Sequence, residues 1–211
     1  MSAASAAFCV DNGAFTAWRQ GNTITDWQPY YAWVKEWARC PRFDFAIIPD
    51  VIEGSEEEND ELIVEWRAEC QDIEAAPVWH MHESLERLET MINEWNRVCI
   101  GSSGKFSKVG SLAWHERMCS AMDRICDEAG RPRVKIHGLR MLAPAIVERY
   151  PLASADSTNV AQNSQLLGRF GGYAPPTQAQ RREVIASRIE ATISASVWES
   201  QAQQEFTLSA D

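Results

Sequence analysis

Apolar residues fall into six short runs separated by longer stretches that carry an apolar stripe. The runs are Ala6–Val10, Phe43–Ile48, Ala76–His82, Arg97–Ile100, Val134–His137 and Leu152–Ala155. Their length, and the turn-forming or polar residues that bound them, predict β-strands. The intervening stretches predict helices over Trp27–Arg39, Glu56–Glu74, Ser84–Trp95, Ser111–Ala129, Leu142–Tyr150 and Gln178–Trp198. Leu62, Trp66, Cys70 and Ile73 share one face of the second of these, and Leu85, Leu88, Ile92 and Trp95 recur along the third. In the fourth, Trp114, Met118, Met122 and Ile125 form the stripe, with Gly130 as the expected stop. The acidic first turn at Glu56 suits the positive end of a helix dipole.

Strands that alternate with helices predict a parallel α/β fold, as a (β/α) barrel or an open doubly wound sheet. No G-x-G-x-x-G fingerprint is present, and Gly101-Ser-Ser-Gly104-Lys105-Phe106 has the wrong spacing for a P-loop. Polar strand endings favour a TIM-type barrel, reduced or atypical because 211 residues fall short of the roughly 250 that are typical. We expect one barrel-like domain over residues 1–211, with a polar loop at 159–177 and a closing helix at 178–198. Ile185, Ile189, Ile193 and Val197 make that helix an expected packing element or oligomer contact.

Composition narrows the class. The chain is 45% hydrophobic and 24% charged, as in ordinary globular proteins. No apolar run approaches the roughly 20 residues that span a bilayer. The start, MSAASAAFCV, lacks the basic and long apolar segments of a secretory signal, so a cytoplasmic location is expected. Six scattered cysteines without a C-x-x-C pair argue against a disulfide framework or a cysteine zinc site. The net charge of -10 opposes nucleic-acid binding by bulk charge, but the charges are segregated. Glu53–Glu74 holds ten acids and one base, whereas Arg97–Arg149 holds ten bases and five acids. The second segment is able to offer a positive face to an anionic substrate.

Candidate chemistry collects where the strands end. The endings are Asp11-Asn12-Gly13, Pro49-Asp50, His80 with His82, Gly101-Ser102-Ser103-Gly104, His137-Gly138 and Asp156-Ser157-Thr158. In (β/α) barrels such endings converge on one catalytic rim. Each also has a plainer reading: Asp11 as a turn residue, Asp50 as an acceptor for a helix N-terminus, Asp156 as an N-cap.

Asp11-Asn-Gly-Ala-Phe15 resembles the Asp-Ser-Gly-Gly-Phe motif of the tRNA-guanine transglycosylase superfamily. AFTAWRQG, IIPDVI, PVWHMH, KIHGL and SADST resemble, in order, its phage and bacterial branch that inserts 7-deazaguanines into DNA. The resemblance implies exchange of guanine for a 7-deazaguanine at an N-glycosidic bond, through a covalent aspartyl-glycosyl intermediate. It implies Asp156 as nucleophile, Asp11 as general acid/base and Asp50 as reader of the purine edge. Gly101, Ser102, Ser103 and Gly104 would offer backbone N–H groups to the base, and His80, His82 and His137 would line its pocket. Lys105, Lys108 and Arg140 would hold nucleic-acid phosphates. The chemistry is consistent with such roles, since retaining glycosyl transfer uses one nucleophilic and one proton-carrying carboxyl. A target in nucleic acid must first be turned out of its stack.

The implied partners are DNA, ahead of tRNA, and a free purine or 7-deazapurine base; no cofactor, metal or membrane is expected, and a homo-oligomer is compatible. The cysteine-rich zinc module of the tRNA enzymes has no counterpart after Cys126, which weakens tRNA as substrate. Hydrolysis without reinsertion is a variant reading. The rival readings are an amidohydrolase-like metal site built from His80, His82, His137, Asp11 and Asp50, and a barrel that binds a base or nucleotide without turnover.

Overall fold

The computed structural model describes residues 7–157, 164–165, 170 and 174–199. Strands and helices alternate as the apolar pattern predicts, and among the described residues the strands pair in parallel, with one isolated antiparallel bridge between Cys126 and Pro132. The fold is therefore α/β, with parallel sheets flanked by helices. The chain divides into two compact units, residues 1–104 and 105–211.

In the first unit, β1 (Phe8–Val10) leads through a turn into α1 (Ala14–Arg19) and α2 (Gln28–Trp37). There follow β2 (Phe43–Ile47), α3 (Glu56–Glu69), β3 (Ala75–Ala76), β4 (Val78–His80), α4 (Leu85–Glu94) and β5 (Arg97–Gly101). The expected run Ala76–His82 is two short strands, because Pro77 has no N–H to give to a ladder. Its carbonyl still accepts from Cys99 N at 2.9 Å, while Ala76 O accepts from Ile48 N at 3.0 Å on the other side. β1 thus pairs with β2, β2 with β3, and β4 with β5, so spatial order follows chain order.

The core of this unit gathers Tyr31 and Val34 of α2, Ala46 of β2, Ile48, Trp66 of α3 and Cys70. Large apolar side chains buried this completely contribute about 1.5–3 kcal/mol each. The predicted helix start at Glu56 is explained by Ser55, whose hydroxyl accepts from Glu58 N while the Glu58 carboxylate accepts from Ser55 N. The predicted end at Glu74 is corrected to Glu69.

The second unit contains a 3-10 turn that begins at Gly104, then α5 (Leu112–Ile125), β6 (Lys135–Gly138), α6 (Pro144–Val147), β7 (Ser154–Ala155) and α7 (Gln178–Glu190). Ser111 caps α5 by accepting from Trp114 N, and Trp114, Met118, Met122 and Ile125 are buried as their spacing predicts.

Three expectations are corrected here. Helix α5 stops at Ile125, five residues before Gly130, whose positive φ of 73° serves a later turn closed by its N–H on Asp127 O. The stretch Leu142–Tyr150 is helical only over Pro144–Val147: Ala143, just ahead of Pro144, is extended (φ -128°, ψ 136°), as a residue before proline tends to be, and the N–H of Leu142 bonds Asp156 O. The last helix stops at Glu190. Beyond it, Trp198 N bonds Gly130 O at 2.7 Å, and the Trp198 ring stacks on Tyr150 with centroids 5.6 Å apart. Ile193 is 84% exposed and Val197 39%, so neither continues the apolar face that the sequence suggests. Most of the expected 159–177 loop lies outside the described residues.

Candidate active site at the strand ends

The turn after β1 separates its two polar residues. Gly13 takes a φ of 78°, which an L side chain rarely adopts. Asp11 is exposed, and one of its oxygens accepts weakly from Gly13 N at 3.4 Å. Asn12 turns inward and is buried. Its oxygen accepts from Ala14 N, while its amide nitrogen donates to Ile48 O at 2.9 Å and to Asp50 Oδ1 at 2.7 Å.

Asp50 follows β2 and is buried. Its second oxygen lies 2.9 Å from His80 Nε2 at the end of β4. The approach is off the line of a ring N–H, so the contact is electrostatic rather than a well-aligned hydrogen bond. His80 is 1% exposed, and its ring lies against the α-carbon of Gly101 on β5. A Cβ at position 101 would sit 2.8 Å from His80 Nδ1. Glycine is therefore needed there for ring clearance, while Gly101 O accepts from Met81 N.

Behind His80 lies a buried charged network. The Glu83 carboxylate accepts from His80 N at 2.8 Å, Asn59 Nδ2 at 3.0 Å and Arg87 Nη1 at 2.6 Å. Burial pushes the Glu83 carboxyl above its ordinary range, opposed chiefly by the charge of Arg87. Arg87 also donates to Asp60 through Nε and Nη2.

His82 stands beside His80 with the rings stacked, centroids 5.7 Å apart and planes 21° from parallel. Alternation along a strand predicts this shared side. His82 Nε2 is 3.0 Å from Gly54 O, and Nδ1 is 2.7 Å from Ser103 Oγ. A carbonyl only accepts, so Nε2 carries a proton. Ser102 and Ser103 are both buried, and Gly104 adopts a positive φ of 53°.

The second unit carries its own cluster. Register pairs His137 of β6 with Ser154 of β7, and His137 Nδ1 is 2.8 Å from Ser154 Oγ. Two residues on, Asp156 faces the same ring, with Oδ2 at 3.5 Å from His137 Nε2. Its Oδ1 accepts from Arg140 N at 2.6 Å. Arg140 is the only non-glycine with positive φ (60°) among the described residues, a strained conformation of a kind that clusters at functional sites. The Asp156 side chain is 41% exposed, whereas His137 is buried. Lys105 and Lys108 are exposed, and Lys105 Nζ lies 5.0 Å from the Phe106 ring centroid.

The predicted residues thus form two sets, each within one unit: Asp50, His80, His82, Gly101 and Ser103 in the first, and His137, Arg140 and Asp156 in the second. Sequence reading missed Asn12, Asn59, Glu83, Arg87 and Ser154. The i,i+4 spacing of Glu83 and Arg87 was a usable signal, as was the alternation that puts Ser154 and Asp156 on one face.

Among the described residues, no group of three or more His, Cys, Asp or Glu side chains is arranged to hold a metal ion. None of their helices is long and apolar enough to cross a membrane. Comparison with family models, curated proteins and solved structures finds no match to this chain.

Proposed function

We propose that this protein exchanges guanine for a 7-deazaguanine at an N-glycosidic bond in nucleic acid, with DNA favoured over tRNA. One observation carries the reading. Asp156 is a half-exposed carboxylate at the end of a parallel strand, with one oxygen pinned by a backbone N–H on a strained residue. A carboxylate that is both fixed and open suits attack on carbon.

The chemistry balances in two displacements. Asp156 attacks the anomeric carbon, forming a C–O bond as the C–N bond breaks, and the electron pair leaves on the purine nitrogen. A general acid supplies the proton to that nitrogen. In the second step a general base takes a proton from the incoming base, whose nitrogen displaces the Asp156 carboxylate.

Asp50 fits the base-reading role less directly, because its two oxygens already meet Asn12 and His80. That favours Asp50 as the anchor that orients those side chains. Lys105 and Lys108 are free to meet phosphates. The first unit, in which neighbouring strands follow chain order, is compatible with a barrel-type fold. A cytoplasmic setting suits these substrates.

The test is incorporation of radiolabelled guanine into duplex DNA by the full chain. Asp156→Asn is expected to abolish incorporation, with wild-type protein trapped as a glycosyl adduct on a peptide that contains Asp156. Wild-type incorporation by Asp156→Asn overturns the reading. The engagement of Asp50 favours one alternative, a domain that binds a base without turnover. Saturable guanine binding with no incorporation identifies it.

A further inference from the structure

We infer that Ser154 and His137 form a positioning pair that keeps the Asp156 carboxylate aimed; the inference rests on the role proposed for Asp156. Three side chains line up as Ser154 Oγ, His137 and Asp156, at 2.8 Å and 3.5 Å. The same residue types in the same order make up the triad of serine hydrolases, so the direction of the relay must be decided.

Exposure decides it. In a serine nucleophile the hydroxyl meets substrate and the carboxylate is the buried orienting group. Here the carboxylate has a 41% exposed side chain and the imidazole is 2% exposed, with Ser154 half-buried on the strand. The open end of the line is Asp156. The serine therefore stands at the supporting end.

The proton positions follow from donor and acceptor rules. An ionised carboxylate only accepts, so a ring that supports it presents N–H from Nε2. Nδ1 is then an acceptor, and the Ser154 hydroxyl fills it as donor. Strand register makes this possible: His137 and Ser154 are directly paired on β6 and β7, and Asp156 lies two residues further along the same side. Arg140 N holds the other oxygen. The carboxylate is thus held on one oxygen by the Arg140 N–H and faced on the other, at 3.5 Å, by the buried His137 ring. The ring contact is electrostatic rather than a well-aligned hydrogen bond, and the two together bias the carboxylate's orientation for attack. Support of this kind acts through another residue, so His137 and Ser154 are positioning residues.

The experiment combines kinetics with ring-nitrogen NMR of isotope-labelled protein. Ser154→Ala, a small change on the strand, is expected to lower kcat for guanine exchange about 10-fold, with KM within about 2-fold. His137→Phe is expected to lower kcat by about 10- to 100-fold, and His137→Gln to recover part of it by restoring an N–H donor. Unchanged kcat in Ser154→Ala, or a rise in KM alone, overturns the inference in favour of substrate contact. The NMR arm needs no turnover. His137 is expected to carry its proton on Nε2 and to shift its ring-nitrogen resonance in Asp156→Ala; a proton on Nδ1 overturns the inference. If the wild type exchanges nothing yet the NMR result holds, the positioning pair stands and the glycosyl-transfer reading falls.

Discussion

Asn12 Nδ2 lies 2.7 Å from Asp50 Oδ1, joining the turn after β1 to the end of β2 across 38 positions of sequence. The same nitrogen holds Ile48 O, and the Asn12 oxygen holds Ala14 N. One buried amide therefore fixes the start of α1, the end of β2 and the orientation of a buried carboxylate.

Removing that amide strips a donor from two buried acceptors. Asn12→Ala is expected to destabilise the protein by about 1–3 kcal/mol, read as a lower urea midpoint at unchanged slope. Asn12→Asp is expected to be worse at neutral pH, because it sets two carboxyls against each other. Its deficit should shrink as pH falls and one of them takes up a proton. An Asn12→Ala midpoint equal to wild type removes Asn12 from the structural account.

The close approach of Gly101 to His80 predicts a non-additive pair. Gly101→Ala puts a methyl 2.8 Å from His80 Nδ1, and overpacking of this kind costs about 1–3 kcal/mol. In a His80→Ala background the methyl has room, so the same substitution should be close to neutral. A double-mutant cycle with no coupling would falsify the clearance argument.

Arg87 and Glu83 are both buried, and their 2.6 Å pair is completed by Asn59, His80 N and Asp60. Arg87→Ala leaves the Glu83 carboxylate without its cation and is expected to destabilise by about 3–5 kcal/mol. Glu83 already has a raised pKa. A raised carboxyl binds its proton more readily in the folded state, so its contribution is fully present at low pH and declines as pH rises through its folded value. The loss in Arg87→Ala should therefore be smaller at acidic pH than at neutral pH. A loss independent of pH counts against ionised Glu83 as its cause.

His115 offers a pH test of opposite sign in the second unit. Burial, aided by the charge of Arg149, holds its pKa below 6.5, and Nδ1 is 2.7 Å from the Tyr150 hydroxyl. The unfolded chain therefore protonates first as pH falls. The stability that His115 contributes is present above its ordinary value and is lost as pH drops through the lower folded one. Urea midpoints of wild type and His115→Gln should converge across the window that opens as pH falls below the ordinary histidine value. Parallel midpoints across that window rule His115 out as the titrating group.

Much of the architecture was readable from the chain. Serine and threonine caps mark the starts of α3, α4, α5 and α7, since Ser55, Ser84, Ser111 and Thr177 each satisfy an N–H only three residues away. Apolar spacing located the strands and buried stripes because a period of two or 3.6 residues is a local property.

Tertiary structure decided the rest. That Asn12 rather than Asp11 enters the buried network depends on where Asp50 is placed, 38 residues later and just past the end of β2. The match of His137 to Ser154 depends on strand register, which the apolar pattern does not specify for two residues of β7. The last helix stops at Glu190 because Trp198 finds Gly130, Asp123 and Tyr150 far back in the chain. The sequence by itself determined the parallel α/β alternation and the polar strand ends, through interactions that reach only a few residues. Which of those polar groups are buried, paired or left open was settled by long-range hydrogen bonds and packing, which exist only once the strands stand side by side.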